Sequence, residues 1–212
     1  MQYQKLRDEL RAYYKTASYE NAAKNLKKGT EILDKMYKEG MSSYDMKVMQ
    51  YQTITNETSA TERAVFYWLC GSHEDTGKFS ETLKHRLPEQ TWTLYACCVE
   101  DWNRDLSPWP VHNVDKLGDF AGEGRRTLAE LVHTVHETQS ETVEESAVRR
   151  FVGGYSLAGL FALWALYETE LFDGAASCSG SLWFPGWREY AVARSLPRRA
   201  SVYLSLGRRE PQ

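Results

Sequence analysis

One serine stands in a setting that suits a reactive nucleophile. Residues 153–158 read Gly-Gly-Tyr-Ser-Leu-Ala, between a short apolar run and a long apolar stretch. This pattern predicts a nucleophile elbow, a sharp strand-to-helix turn that exposes Ser156 for attack on an acyl carbon. Gly154 and Ala158 lie two residues before and after the serine, where a tight turn leaves no room for large side chains. A chance turn is the alternative, but the flanking strand and helix patterns favour the elbow.

The segment after the serine predicts how a negative charge would be stabilised there. An apolar helix is expected to begin at Leu157. The first N–H groups of a helix lack intrahelical acceptors, and the helix dipole places positive charge at this end. The sharp turn also predicts a strained backbone at Ser156. Strain of this kind is tolerated mainly at functional sites.

Composition excludes several classes of function. The chain has 212 residues, 42% of them hydrophobic, and a formal net charge of −3, which favours binding of neither nucleic acid nor an anionic membrane. No apolar run reaches the roughly 18 residues that span a bilayer. The charged N-terminus does not resemble a secretory signal, so a cytoplasmic location is expected. No phosphate-binding, dinucleotide or zinc-protease motif occurs, and we expect no cofactor and no metal.

The four cysteines are expected to be buried free thiols. They lie in apolar, strand-like runs and lack C-x-x-C spacing. A metal site or a set of disulfides is the alternative interpretation. The four positions are Cys70, Cys97, Cys98 and Cys178.

The wider pattern predicts three regions. Residues 1–40 predict an amphipathic helical hairpin, 41–62 a linker with a short strand near 46–53, and 63–212 an α/β domain. From residue 63, near-continuous apolar strands alternate with helices, which indicates a mostly parallel sheet with helices on both faces. Ligands of such sheets bind beyond the carboxyl ends of the strands. Several candidate residues lie just past those predicted ends: Gly71, Trp102, Ser156, Ser181 and Gly207.

Four separated motifs carry a family resemblance. They read Asp-Trp-Asn-Arg-Asp-Leu-Ser-Pro-Trp-Pro (101–110), Gly-Gly-Tyr-Ser-Leu-Ala-Gly-Leu-Phe-Ala-Leu-Trp (153–164), Ser-Gly-Ser-Leu-Trp-Phe-Pro-Gly (179–186) and Val-Tyr-Leu-Ser-Leu-Gly (202–207). Together they resemble an esterase branch of the α/β-hydrolase superfamily that includes esterase D-like and enterochelin esterase-like enzymes. The resemblance covers roughly residues 64–210.

The resemblance implies roles for particular residues. Ser156 would be the nucleophile of an acyl-enzyme mechanism on a small-molecule ester. The backbone N–H of Leu157, with that of Gly71 or Ser72, would form the oxyanion hole. The segment 179–183 would line the substrate pocket. Among the loop tryptophans, Trp102 and Trp183 are the candidate pocket walls, and plain loop packing is the alternative.

The sequence departs from this pattern after residue 206. The triad acid is expected in the turn Leu-Gly-Arg-Arg-Glu, where Arg208 takes its place, and no histidine follows Ser156. His73 or His112 is a candidate replacement base. We therefore expect an esterase-like domain that lacks its C-terminal part, with impaired activity. Truncation, a frameshift and a non-catalytic binding or scaffold protein all fit, and an incomplete sheet would favour self-association.

Overall fold

The computed structural model describes residues 49–58, 63–71, 76–114, 117–138 and 148–207. The chain divides into two compact units, one within residues 50–102 and 140–212 and the other within 1–49 and 103–139. The predicted N-terminal hairpin, Ser72, His73 and Arg208 lie outside the described residues.

The first unit contains the main sheet. Its elements are β1 (Gln50–Asn56), β2 (Arg63–Gly71), α1 (Gly77–Arg86), β3 (Thr91–Val99), β6 (Val148–Tyr155), α4 (Leu157–Glu168), β7 (Gly174–Cys178), α5 (Trp187–Val192) and β8 (Ser201–Ser205). Six strands pair in the order β1-β3-β2-β6-β7-β8. All neighbours are parallel except β1, which runs antiparallel to β3. The predicted mostly parallel α/β sheet is confirmed.

The strand β1 shows why an antiparallel edge differs from the centre of the sheet. Its residues are mostly polar and exposed, whereas β3 beside it is almost wholly buried. Antiparallel strands can face water, whereas parallel strands are typically buried on both faces. The strand falls within the range interpreted from sequence as a linker, and Ile54 pairs with Leu94 in register.

Two helices of this unit lie against opposite faces of the sheet. The Phe79 ring of α1 contacts Trp68, and the Trp68 ring in turn covers the Gly153 position. Gly154, the next residue of β6, lies against Ala158 of α4. Successive residues of a strand point to opposite faces, so α1 and α4 are on different sides. No helix among the described residues is both long and apolar enough to cross a membrane.

The second unit contains elements that the sequence analysis missed. Following β3, the chain forms the helix α2 (Trp102–Leu106), the hairpin strands β4 (Pro110–Val114) and β5 (Gly118–Ala121), and the helix α3 (Gly124–Glu137). The segment 100–110 is polar and contains two prolines, so its sequence gives little sign of the helix α2. Gly118, the first residue of β5, and Gly122, directly after its last residue, both have positive φ.

Asp105 in this second unit is buried rather than part of a surface loop. Its carboxylate accepts hydrogen bonds from Arg104 at 2.7 Å and from Arg126 at 3.1 Å, and the residue is only 4% exposed. A buried carboxylate is tolerated when such charged donors satisfy it. The distant Arg126 provides the second charged partner that allows Asp105 to be buried.

Candidate active site

Ser156 occupies a strained turn between β6 and α4. Its backbone angles are φ 55° and ψ −120°, a region that residues with a Cβ rarely adopt. It is the residue that precedes the first turn of α4, and its side chain makes no capping bond to the helix. The side-chain oxygen is therefore left at the carboxyl edge of the sheet, at the start of the helix.

Three backbone hydrogen bonds hold this strained residue in place. The Ser156 N–H donates to the Cys178 carbonyl at 2.9 Å. The Ser156 carbonyl accepts from the N–H of Leu160 at 3.1 Å and from the N–H of Ser181 at 3.0 Å. Strain persists only where the surroundings over-determine a conformation, and here the helix, β7 and the loop after β7 all contribute.

Small residues on both sides of the serine are required by direct contact. An ideal Cβ on Gly154 would lie 2.4 Å from the Cβ of Ala158, well inside van der Waals contact. A Cβ on Gly159 would lie 3.0 Å from the Gly154 carbonyl oxygen. The close approach expected at positions 154 and 158 is thus present, and it lets α4 leave the strand at a sharp angle.

The loop after β7 brings a second serine to the first. The Ser156 and Ser181 side-chain oxygens are 3.3 Å apart, and Ser181 is only 3% exposed. Ser179, at the start of the loop, has φ 47°, and its N–H donates to the Ser205 carbonyl at 2.7 Å. The sequence analysis placed Ser181 past a strand end but missed this hydrogen bond. The repeated serines of Ser-Gly-Ser were the available signal.

Ser177 fixes the spacing beneath this loop. Its hydroxyl is buried without a hydrogen-bond partner among the described residues. A Cβ on Gly180 would meet that oxygen at 2.1 Å, and one on Gly159 would meet it at 3.0 Å. The serine therefore fills the gap where the loop crosses α4, so the two glycines allow the loop and the helix to approach each other.

One predicted oxyanion donor, Leu157, lies at the start of α4, and the other, Gly71, lies at the end of β2. Leu157 is the first residue of α4, so its N–H has no acceptor within the helix. Gly71 is the last residue of β2, the parallel neighbour of β6. Leu69 and Gly154 are paired in register, and Gly71 and Ser156 each lie two residues beyond this pair.

The tryptophans separate into surface and core residues. Trp183 is 56% exposed and lies two residues after Ser181, in the same loop. Trp102 is partly exposed and begins α2, three residues beyond the end of β3. Trp187 is buried and packs against Tyr167 and Tyr190, so its role is structural.

No described histidine or carboxylate hydrogen-bonds to the Ser156 hydroxyl, whose side-chain partner is Ser181. His85 and His136 are exposed helix residues. The side chain of His133 is only 10% exposed, and its Nε2 lies 3.1 Å from the Glu137 carboxylate.

His112 lies in the β4–β5 hairpin beside an acidic partner. Its Nδ1 is 3.4 Å from the Asp119 carboxylate, and both side chains are largely exposed. The Asn113 N–H donates to Asp119 at 2.9 Å and is the main reason that the pKa of Asp119 lies below its usual value; His112 adds to the effect. The imidazole thus has a local partner within its own unit.

A parallel sheet with a strained serine between strand and helix, at the carboxyl edge, defines the α/β-hydrolase-like class of fold. Solved structures support this assignment. The chain is similar to the siderophore hydrolase EstA from Aspergillus nidulans, with 22% identity, a TM-score of 0.53 and coverage of 72% of this chain and 60% of that one. It is also similar to an IroE-like serine hydrolase from Shewanella oneidensis, with 18% identity, a TM-score of 0.53 and coverage of 73% and 60%.

These similarities show the fold. The chain spans about 60% of the length of both structures. Neither a protein-family model nor a curated protein matches the sequence. Both structures are named as hydrolases, and the similarity in fold agrees with the resemblance that the sequence motifs carry.

Proposed function

We propose that this chain is a serine ester hydrolase-type domain that forms an acyl-enzyme on Ser156. The observation that carries the proposal is the strained Ser156 at the start of α4, clamped by three backbone hydrogen bonds. Strain of this kind costs about 1–3 kcal/mol, which is tolerated where it positions a functional group. The relatives named above include hydrolases of the same fold.

The chemistry proceeds in two steps. The Ser156 oxygen attacks the ester carbonyl carbon, and the resulting oxyanion is stabilised by the N–H groups of Leu157 and Gly71. Collapse of the tetrahedral intermediate breaks the bond to the alcohol, which leaves with the proton that the serine hydroxyl gave up. Water then attacks the acyl-enzyme, which releases the carboxylic acid and restores the serine hydroxyl.

The substrate class follows from the loop that carries Ser181. Trp183 offers an exposed indole within two residues of the hydrogen-bonded serine pair. An aromatic wall suits esters of small or aromatic acids, since most ligand sites combine apolar walls with a few polar groups. Small-molecule esters are therefore the proposed substrates, and Trp102 is the candidate second wall.

Removal of the proton from the Ser156 hydroxyl limits the rate of the proposed reaction. Ser181 is a neutral hydroxyl, which orients its partner but is a poor proton acceptor. Enzymes that lose triad members retain about 10³–10⁴-fold catalysis from the oxyanion hole and binding. We therefore propose an impaired esterase, with slow turnover that lacks the pH dependence of a histidine base.

A fluorophosphonate probe tests the nucleophile directly. The probe should label the purified chain slowly, and Ser156→Ala should abolish labelling. Ser201→Ala is the matched control, because Ser201 is exposed at the amino end of β8 and should leave labelling unchanged. Equal labelling of the wild type and Ser156→Ala would refute the assignment of this serine.

The second candidate function is a non-catalytic binding or scaffold protein. It is favoured by the side-chain partner of the Ser156 hydroxyl among the described residues, which is the neutral hydroxyl of Ser181. A pH–rate profile with a p-nitrophenyl ester distinguishes the two. Turnover above background without a titration near pH 6.5 supports the impaired esterase. Background rates together with failed probe labelling support the binding protein.

A recruited histidine would give a third pattern in the same profile. Activity would then rise with pH, with an apparent pKa of about 6–7. It would disappear in the variant that removes the recruited histidine, which is His73→Ala or His112→Ala. Robust turnover that survives both substitutions would show that another residue acts as the base.

A further inference from the structure

Two cysteines from neighbouring strands lie side by side at the carboxyl ends of β2 and β3. Cys70 and Cys98 are partners in the parallel register of these strands. Their sulfur atoms are 3.7 Å apart, which is van der Waals contact between two thiols. Neither residue takes part in the proposed ester chemistry.

The backbone geometry allows a covalent bond between the two sulfurs. Adjacent strands of a sheet lie about 4.8 Å apart, and disulfides join residues whose Cα atoms are about 4.4–6.8 Å apart. The sulfurs need to approach from 3.7 Å to about 2.0 Å. Side-chain rotation can provide this change with little movement of the strands.

Cys70, Cys97 and Cys98 lie on neighbouring strands and differ in their solvent exposure. Cys98 is partly exposed, whereas Cys70 is 1% exposed and Cys97 is completely buried. Burial raises the pKa of the Cys97 thiol well above its usual value, and the neighbouring thiols raise it further. Cys97 therefore stays protonated and inert, and Cys98 is the thiol that an external oxidant can reach.

We propose that Cys70 and Cys98 form a redox modification site, in which a small-molecule disulfide oxidises the pair to an intramolecular disulfide. The Cys98 thiolate attacks one sulfur of oxidised glutathione and releases one glutathione thiolate. The Cys70 sulfur then attacks Cys98, and its proton passes to the second glutathione as that leaves. Two electrons move from the cysteine pair to the small disulfide, which departs as two thiols.

The bond is a labile one that ties β2 to β3 at the carboxyl ends of these two strands. Disulfides that are strained or exposed are more easily reduced than structural ones. Cys70 directly precedes Gly71, the last residue of β2, and Cys98 directly precedes Val99, the last residue of β3. Reduced glutathione or dithiothreitol should therefore restore both thiols.

Thiol counting and peptide mapping test the proposal on the full chain. After incubation with oxidised glutathione, two of the four thiols should disappear in a titration under denaturing conditions. Trypsin should release residues 64–78 joined to residues 87–104, two hydrogens lighter than the separate peptides. Fragmentation of the joined peptides should assign the link to Cys98 rather than Cys97, and this readout requires no variant.

Two variants complete the test. After incubation with oxidised glutathione, Cys98→Ser should retain all three of its thiols. The control Cys178→Ser should lose two of its three thiols and retain one. Four thiols left in the oxidised wild type would overturn the proposal. A stable glutathione adduct on Cys98, or a link between Cys97 and Cys98, would also overturn it.

Discussion

At the scale of single residues, the backbone of Ser156 is the feature on which the proposed function depends most. A φ of 55° with a ψ of −120° disfavours any residue that has a Cβ, but glycine adopts it readily. The clamp from Cys178, Leu160 and Ser181 maintains this conformation at a cost in stability. Stability and reactivity therefore oppose each other at this position.

Two substitutions at position 156 separate the hydroxyl from the strain. Ser156→Ala and Ser156→Gly both remove the nucleophile and the hydrogen bond to Ser181. Only glycine relieves the backbone, so we expect Ser156→Gly to be more stable than Ser156→Ala by about 1–2 kcal/mol. Urea denaturation of both variants measures the difference. An alanine variant as stable as the glycine variant would show that the turn is not strained.

At the scale of the elements, Asp173 joins the amino ends of three strands. Its carboxylate accepts hydrogen bonds from the Arg150 N–H at 2.8 Å and from Arg198 at 2.7 Å, and its backbone bonds to both Arg150 and Ser201. The side chain is mostly buried. Because the candidate site lies at the opposite, carboxyl ends, Asp173 serves stability rather than chemistry.

Removal of this carboxylate should destabilise the sheet. Asp173→Ala leaves the Arg150 N–H without its side-chain acceptor, and hydrogen bonds to charged groups contribute about 1.5–3 kcal/mol each. We expect a loss of about 2 kcal/mol in urea denaturation, with fluorophosphonate labelling retained in the folded protein. Arg198→Ala is the control, because an exposed ion pair contributes less than about 1 kcal/mol. Equal losses in the two variants would contradict this assignment.

The β4–β5 hairpin should show a pH-dependent contribution to stability. The pKa of Asp119 is lowered in the folded state, mainly by the Asn113 N–H and also by His112. A lowered pKa means that the ionised carboxylate stabilises the fold above its unfolded-state pKa, and the effect is lost as the pH falls through the folded-state value. Asp119→Asn should therefore melt below the wild type at pH 7 but not in strong acid. Equal melting temperatures at both pH values would refute the contribution.

At the scale of the whole molecule, the edge strand β8 predicts self-association. Among the described residues β8 pairs only with β7, and its consecutive apolar side chains are largely exposed. They are Val202 at 47%, Tyr203 at 60% and Leu204 at 57%. Open edges with apolar side chains invite pairing with another strand, and a second copy of β8 offers the same surface about a two-fold axis.

Sedimentation velocity over a range of concentrations tests this association. We expect dimers to increase with concentration in the wild type, and Leu204→Lys to shift the balance to monomers because a lysine disfavours edge pairing. Val192→Lys is the control, since Val192 is 81% exposed on α5 and outside β8. A wild type that stays monomeric throughout would refute the prediction.

The sequence alone determined the features that depend on neighbours along the chain. The elbow was predictable because Gly154 and Ala158 meet within one turn, so the steric requirement is local. The parallel strands were predictable because burial on both faces demands continuous apolar runs. Tertiary structure decided the other features, because strand register and the paths of the loops depend on residues that are distant along the chain. The antiparallel β1, the Ser156–Ser181 hydrogen bond, the buried Asp105 and the Cys70–Cys98 contact all join segments that sequence patterns treat separately.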